Sequence, residues 1–327
     1  GLAGRSGAGL LEIPAAANGR GLREAGAVPD AGPGYAGLAG DSGNDAAGIA
    51  LAATDGELTA LYLLQTDPVR DQPDRALWES ALHSAALVVA HASVMTEGLR
   101  EHASVIFPAE SHAEKEGTVV HPDGRLQRLR IAIQHPGEVR AGWAVLAELA
   151  RRAGSDFEVT RSADAFAQLV AAVPFYAGLT LEELGGHGVR WPETGAAGAF
   201  PADDTQPASA ATDPDAPGVP ATNGHASSNG PLRLGTYRPI WASPEVEVSP
   251  ALKYLAVEQQ LELAPEDARR LGVAQGDEVQ VAQNGHRLQA KAMIRTGVPV
   301  GSAFLADGIA AQSANTLTEP LIEVIKP

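Results

Sequence analysis

LTALYLLQTDP (58–68), VVAHASVMTEG (88–98) and HASVIFPAESHAEKEGTVVHPDGRLQ (102–127) are the three pieces whose order decides how this chain folds. The apolar run Leu61–Leu64 stops at Thr66-Asp67-Pro68, where Pro68 removes a ladder donor and Asp67 turns the backbone through its own side chain. That reads as a buried strand ending in a loop. Trp78, Ala81, Leu82 and Ala85 then recur at helical spacing, and Leu87-Val88-Val89 is a second short apolar run rich in β-branched residues. Strand, helix, strand predicts a right-handed parallel crossover. A third strand, Val105-Ile106-Phe107, ends at Pro108 and feeds the charged loop Glu110–Gly117. In an open parallel sheet, such carboxyl-end loops line the ligand crevice.

Working outward, 327 residues with 44% hydrophobic content suffice for two domains with separate cores. Aromatics are only 5%, so Ala, Val and Leu must do the packing. A net charge of −16 argues against a nucleic-acid binder and against docking on an anionic membrane, both of which need a basic face. No apolar run reaches membrane-spanning length and no signal peptide opens the chain, so a cytosolic setting is expected. The chain starts with Gly and is expected to be a piece of a longer or processed protein. Cysteine is absent, which excludes disulfides, thiolate zinc sites, cysteine nucleophiles and cysteine-ligated iron–sulfur clusters within these residues.

Residues 1–43 are rich in glycine, and two readings stand: a turn-rich surface connection, or backbone amides approaching a phosphate. Asp45–Thr54 is a helix candidate. Thr118–Val120 is extended and ends at the turn Pro122-Asp123-Gly124. Val139, Trp143, Leu146 and Ala150 predict one buried face of a helix with Glu138 at its start and Gly154 just beyond. Phe166, Leu169, Val170 and Val173 repeat the pattern behind Ser162 as N-cap, and Thr180 with Glu183 forms a capping box. From Thr194 to Gly230 there are five prolines and no Lys or Arg, which predicts a flexible acidic linker. Beyond it, Leu232–Trp241 and Gln259–Leu263 are strand candidates, Pro265 opens a helix that Gly272 closes, and Asp277–Gln283 with His286–Thr296 make a hairpin on Asn284-Gly285.

The order of the three opening pieces resembles the second Rossmann-like domain of the molybdopterin oxidoreductase superfamily. The wording of AESHAEKEGT (109–118) and GRLQ (124–127) is similar to the large iron–sulfur subunits of respiratory complex I, the NADH-quinone oxidoreductase. LELAPEDARRLGVAQGDEVQV (261–281) resembles the molybdopterin-dinucleotide-binding domain, a double-psi β-barrel. The resemblance implies an α/β fold with a Rossmann-like domain over 1–193, the linker over 194–230 and the barrel over 231–327. It implies a subunit supporting electron transfer from NADH to quinone, inactive as this piece alone. The alternatives are the C-terminal half of a true molybdopterin oxidoreductase, such as a formate-dehydrogenase-like catalytic subunit, and a stand-alone binding module.

Further implications concern cofactors and partners. Iron–sulfur clusters are expected in a cysteine-rich region upstream of Gly1; molybdopterin guanine dinucleotide is the group the family's pocket takes, and no cofactor is expected to be held within these residues. Other peripheral-arm subunits of complex I are the expected partners, on the cytoplasmic side, with no nucleic acid and no direct membrane insertion. Thr66, Asp67, His91, Gly117, Thr118 and Arg125 are the pocket residues that the resemblance assigns. Two departures predict a degenerate pocket filled by its own side chains: Gln65 stands where cofactor-binding relatives place Gly, and Ala92 where they place an acidic residue. No catalytic residue and no metal ligand is assigned. His91, His102, His112 and His121, with Glu97, Glu110, Glu114 and Glu116, match no standard ligand spacing and read as solvated loop residues, although His112 and Glu116 would share a face if helical.

Overall fold

The computed structural model describes residues 16–155, 158–201 and 230–326. Its first stretch runs α1 (Gly19–Glu24), α2 (Ala46–Thr54), β1 (Ala60–Leu64), α3 (Pro68–Asp71), α4 (Arg75–Ser84), β2 (Leu87–Ala92), α5 (Glu97–His102), β3 (Val105–Pro108), β4 (Gly117–Val120) and β5 (Arg125–Leu129). There follow α6 (Gly142–Arg152), α7 (Ser162–Ala172), α8 (Leu181–Leu184) and β6 (Val189–Arg190). The last stretch holds β7 (Leu232–Tyr237), α9 (Pro244–Val248), β8 (Gln260–Leu263), α10 (Pro265–Leu271), β9 (Glu278–Gln283), β10 (His286–Ile294), β11 (Ser302–Ala306) and β12 (Leu321–Ile325). The chain packs as two compact units, each drawn from two separate stretches: Gly1–Gly48 with Pro108–Pro214, and Ile49–Phe107 with Asp215–Pro327. Compactness therefore groups the first sheet with the barrel, whereas the sequence reading divides the chain into contiguous segments.

In the unit holding Ile49–Phe107, β1, β2 and β3 lie side by side, and β1 pairs parallel with β2 from Ala60↔Leu87 to Leu64↔His91. Alternation along the strands sends Leu61, Leu63, Val88 and Ala90 to one face, where Ala53, Trp78, Leu82 and Leu99 of the helices meet them. Helix α4 starts where Asp74 accepts a hydrogen bond from the Leu77 amide (3.1 Å). The same unit contains a closed barrel in the order β10-β8-β11-β7-β12-β9. Leu261, Leu263, Val279, Val281, Leu305 and Ile322 fill it, and closure leaves no strand edge open. Asn284 (φ 45°) and Gly285 (φ 87°) give the β9–β10 hairpin the left-handed turn that matches strand twist.

In the other unit, β4, β5 and β6 form an antiparallel sheet backed by α7 and an aromatic core of Phe166, Phe175, Tyr176 and Trp191. Fully buried Glu24 sits among them, accepting from Arg20 Nε (2.7 Å), Trp191 Nε1 (3.1 Å) and the Tyr176 hydroxyl. Burial, then the Glu24 charge, pushes the Tyr176 phenol far above its ordinary pKa.

Four sequence expectations shift here. Helix α6 starts at Gly142 rather than near Glu138 and buries Val145 and Ala147 while Leu146 is 37% exposed, so the expected stripe was one residue out of phase in a segment apolar on several sides. The α7 cap is Arg161, one residue before Ser162, because the Asp164 carboxylate reaches back to the Arg161 amide (2.9 Å). Residues 112–114 form a turn and 115–116 no regular structure, so His112 and Glu116 share no helical face. Finally, Gly195–Ala199 form a 3-10 turn, and Phe200 stacks on Trp191 at 5.0 Å between ring centroids, so the first residues of the expected linker belong to the core. Its stretch from 202 to 229, like the first 15 residues of the glycine-rich opening, lies outside the described residues.

Candidate functional site

The carboxyl ends of β1 and β2 carry the first three assigned residues. Gln65 leaves β1 with φ 55°, a left-handed conformation that costs a side-chain-bearing residue energy, and its amide donates to the His91 carbonyl (2.9 Å). Asp67, 3% exposed, accepts from the Val69 amide (3.1 Å), the Thr96 hydroxyl (2.6 Å) and the Gly98 amide (3.0 Å). One carboxylate thus caps α3 and ties down the start of α5. The packing is close: a Cβ on Gly98 would fall 2.3 Å from Asp67 Oδ1. His91 is 1% exposed, with Nε2 2.6 Å from the Tyr62 hydroxyl and its ring between those of Tyr62 and Phe107. The Thr66 hydroxyl and the Asp67 amide both donate to Asp71 Oδ2, at 3.3 and 3.2 Å.

Gly117, Thr118 and Arg125 belong to the other compact unit. Gly117 (φ 150°) opens β4 opposite Leu129, and Thr118 pairs with Arg128. Arg125 follows the turn at Asp123, its amide donating to Asp123 Oδ1 (3.1 Å) and its guanidinium to the His187 carbonyl (3.4 Å). Two carboxylates of the charged loop ahead of β4, Glu110 and Glu114, expected to be solvated, are instead buried and hydrogen-bonded. Glu110 accepts from the Gly142 amide (2.8 Å) and lies 3.2 Å from His135 Nε2, while Glu114 accepts from the Ser111 amide (2.9 Å). The six assigned residues therefore fall into two groups of three, one in each unit.

Sequence reasoning passed over the residues that bind the β1 loop to the barrel. The Arg70 side chain is 1% exposed and donates to both carboxylate oxygens of Glu247 (2.9 and 2.5 Å) and to the Gly308 carbonyl (3.0 Å), with Glu97 at 3.6 Å. Burial works against its charge, but Glu247, Glu97 and Asp71 outweigh that and hold the guanidinium protonated. Asn315 Nδ2 donates to the carbonyls of Val69 (2.9 Å) and Gln72 (3.0 Å), and Arg238 pairs with Asp71 (2.7 Å). Nothing local in PVRD signals this, since Glu247 is 177 residues away. Glu97 Oε1 and Asn315 Oδ1 are buried without a hydrogen-bond partner among the described residues.

Comparison with known proteins bears on what this arrangement belongs to. Residues 15–152 match the family described as Molybdopterin oxidoreductase, and residues 232–326 match the Molydopterin dinucleotide binding domain. Two stretches of the chain thus carry molybdopterin oxidoreductase domains. The chain is 27% identical over 355 residues to F420-dependent formate dehydrogenase 1 subunit alpha of Methanococcus maripaludis, covering 97% of this chain and 50% of that protein. It is 27% identical to NADPH-Fe(3+) oxidoreductase subunit alpha of Geobacter sulfurreducens over 94% of this chain and 35% of the relative. It is 28% identical to an NADH-quinone oxidoreductase subunit of Rhizobium meliloti over 80% of this chain and 29% of the relative. The chain thus spans half or less of the length of these relatives. Acetylene Hydratase from Pelobacter acetylenicus shares the fold, with a TM-score of 0.62 at 14% identity over 88% of this chain and 47% of that one.

Whether the assigned residues suit a molybdopterin dinucleotide is decided by their bonds. Asp67 and His91 do not fit as direct ligands through the Asp67 carboxylate and His91 Nε2, which are buried in contacts that hold the fold. Among the described residues no cluster of three metal-ligating side chains occurs, and no helix is long and apolar enough to cross a membrane.

Proposed function

We propose that this chain is part of the large iron–sulfur subunit of an NADH-quinone oxidoreductase, respiratory complex I. In this reading the family's two dinucleotide-associated domains serve as scaffold within the peripheral arm. Thr66, Asp67, His91, Gly117, Thr118 and Arg125 then mark a vestigial pocket. The iron–sulfur clusters are held upstream, and the neighbours are other peripheral-arm subunits on the cytoplasmic side of the membrane. The observation that carries the reading is the engagement of Asp67, with three accepted hydrogen bonds at 3% exposure, beside a side-chain-bearing Gln65 in the left-handed conformation. The likeness to an NADH-quinone oxidoreductase subunit over 80% of this chain supports it. A second reading, a catalytic subunit of the formate dehydrogenase kind, is favoured by a match reaching 97% of the chain.

Elemental analysis of the protein containing this chain, with extraction of guanine nucleotides, separates the two. Iron without stoichiometric molybdenum or tungsten is expected. Stoichiometric metal with released dinucleotide overturns the first reading in favour of the second. The Gln65→Gly, Ala92→Asp variant tests the cause, because cofactor gained by that variant would trace the weakened binding to those two side chains.

A further inference from the structure

A cavity of about 180 Å³ opens in the unit holding Pro108–Pro214, between β4, α6 and α7, and none of the pocket chemistry above accounts for it. Its floor is apolar: Trp143, Phe166, Leu169 and Leu181. Its remaining lining includes Glu116, Thr118, Arg128 and Ser162, and among the described residues none of these four side chains makes a hydrogen bond or ion pair. The α7 and α8 part of the wall lies outside residues 15–152 and 232–326, the stretches matched by the family descriptions.

Two features define what would fill it. The first is size. An apolar cavity of about 150 Å³ takes one benzene-sized molecule, so the floor accommodates a single ring or a branched aliphatic side chain and nothing larger. The second is charge. Thr118 faces Arg128 across the β4–β5 ladder, so Glu116, one residue ahead of β4, stands diagonally from Arg128 on the same face. Diagonal neighbours lie about 7–8 Å apart, within reach of long side chains, yet these opposite charges line one cavity without pairing. An occupant carrying both complementary charges next to a small apolar body satisfies all three surfaces.

We propose that this cavity binds a free zwitterionic α-amino acid with a leucine-sized apolar side chain. Its carboxylate meets Arg128, its ammonium meets Glu116, and its side chain rests on Phe166, Leu169 and Leu181. The site is independent of the dinucleotide reading except that Gly117 and Thr118 lie in both.

Calorimetric titration of the whole chain with L-leucine tests this directly. Saturable one-to-one binding with Kd on the order of 1 mM or tighter is expected. It should be accompanied by movement of the Trp143 indole N–H resonance, assigned by its loss in Trp143→Phe. Glu116→Gln and Arg128→Ala should each weaken binding about tenfold or more, as loss of one charge-assisted contact does. Ala165→Phe, which fills the cavity, should abolish it, and the two surface variants keep the test open if that core change unfolds the unit. Absence of saturation by about 10 mM, a roughly −3 kcal/mol limit, overturns the proposal. Binding that leaves the Trp143 resonance unmoved overturns it too. So does equal affinity for 4-methylpentanoate or 3-methylbutylamine, each of which lacks one of the two charges.

Discussion

Replacing Glu247 by Ala should unfasten the β1 loop from the barrel, and the size of the effect follows from the surroundings of Arg70. That guanidinium is 1% exposed and held by two bonds to Glu247, so the variant leaves a buried cation without its main counter-charge. Breaking a buried pair from one side costs about 3–5 kcal/mol. Arg70 keeps the Gly308 carbonyl at 3.0 Å and Glu97 at 3.6 Å, which places the expected loss near the lower end, about 3 kcal/mol. For a unit of about 150–250 residues, each kcal/mol moves Tm by about 2–4 °C, so the midpoint should fall by about 6–12 °C. Hydrogen exchange during thermal unfolding, read on peptides covering 58–107, reports this unit alone. Replacing both partners by apolar residues, Arg70→Met with Glu247→Leu, removes the charge as well as the bond and should return to within about 1 kcal/mol of the parent. An E247A midpoint within about 2 °C of the parent, or a double variant no better than the single one, refutes the reasoning.

Three other outcomes follow from single residues. The folded Tyr176 phenol is raised above its ordinary 10.0, so the stability it contributes is fully present below about pH 10 and is lost as pH climbs toward the folded value; alkaline melting of Tyr176→Phe should show a shallower decline than the parent. Asp67→Ala removes the α3 cap and leaves the Thr96 and Gly98 donors unmet, for a loss of about 3 kcal/mol in urea unfolding, with Asp67→Asn recovering part of it. Gln65→Gly relieves a left-handed residue but adds unfolded-state freedom, each worth about 1 kcal/mol, so its stability should stay within about 1 kcal/mol of the parent, whereas Gln65→Val should lose more than that.

Local chemistry was legible where it decides an element by itself. The parallel β1–β2 pair, α10 between Pro265 and Gly272, the Asn284-Gly285 hairpin and the Thr180–Glu183 capping box all stand where turn residues and periodicity put them. Strand β5 was not legible: Arg125, Gln127 and Arg128 make it polar, and pairing with β4 and β6 makes it a strand. Phe200 was hidden in a Pro- and Ala-rich context, and its place beside Trp191, Phe175 and Tyr35 depends on tertiary contacts that composition does not carry. The grouping of residues 49–107 with the barrel is the same kind of fact, since its bonds join positions 177 and 246 apart in the sequence.

The site was legible as a place more than as a chemistry. Thr66-Asp67-Pro68 reads both as a turn and as a nucleotide contact, and the two uses compete for one carboxylate. A carboxylate offers about four lone-pair positions, and Asp67 gives three to Val69, Thr96 and Gly98. The turn has taken the side chain. At Gln65 the division runs between backbone and side chain instead. Gln65 holds a positive φ that Gly adopts freely, and its longer side chain is exposed. In the proposed reading, the turn geometry is kept while the open space that a glycine would leave for a phosphate is filled. Gln65→Gly separates these two properties, because it restores the space without altering the turn. A gain in nucleotide retention at unchanged stability would assign the loss to the side chain. Unchanged retention would move it to Asp67 and His91, whose carboxylate and Nε2 are engaged within the fold.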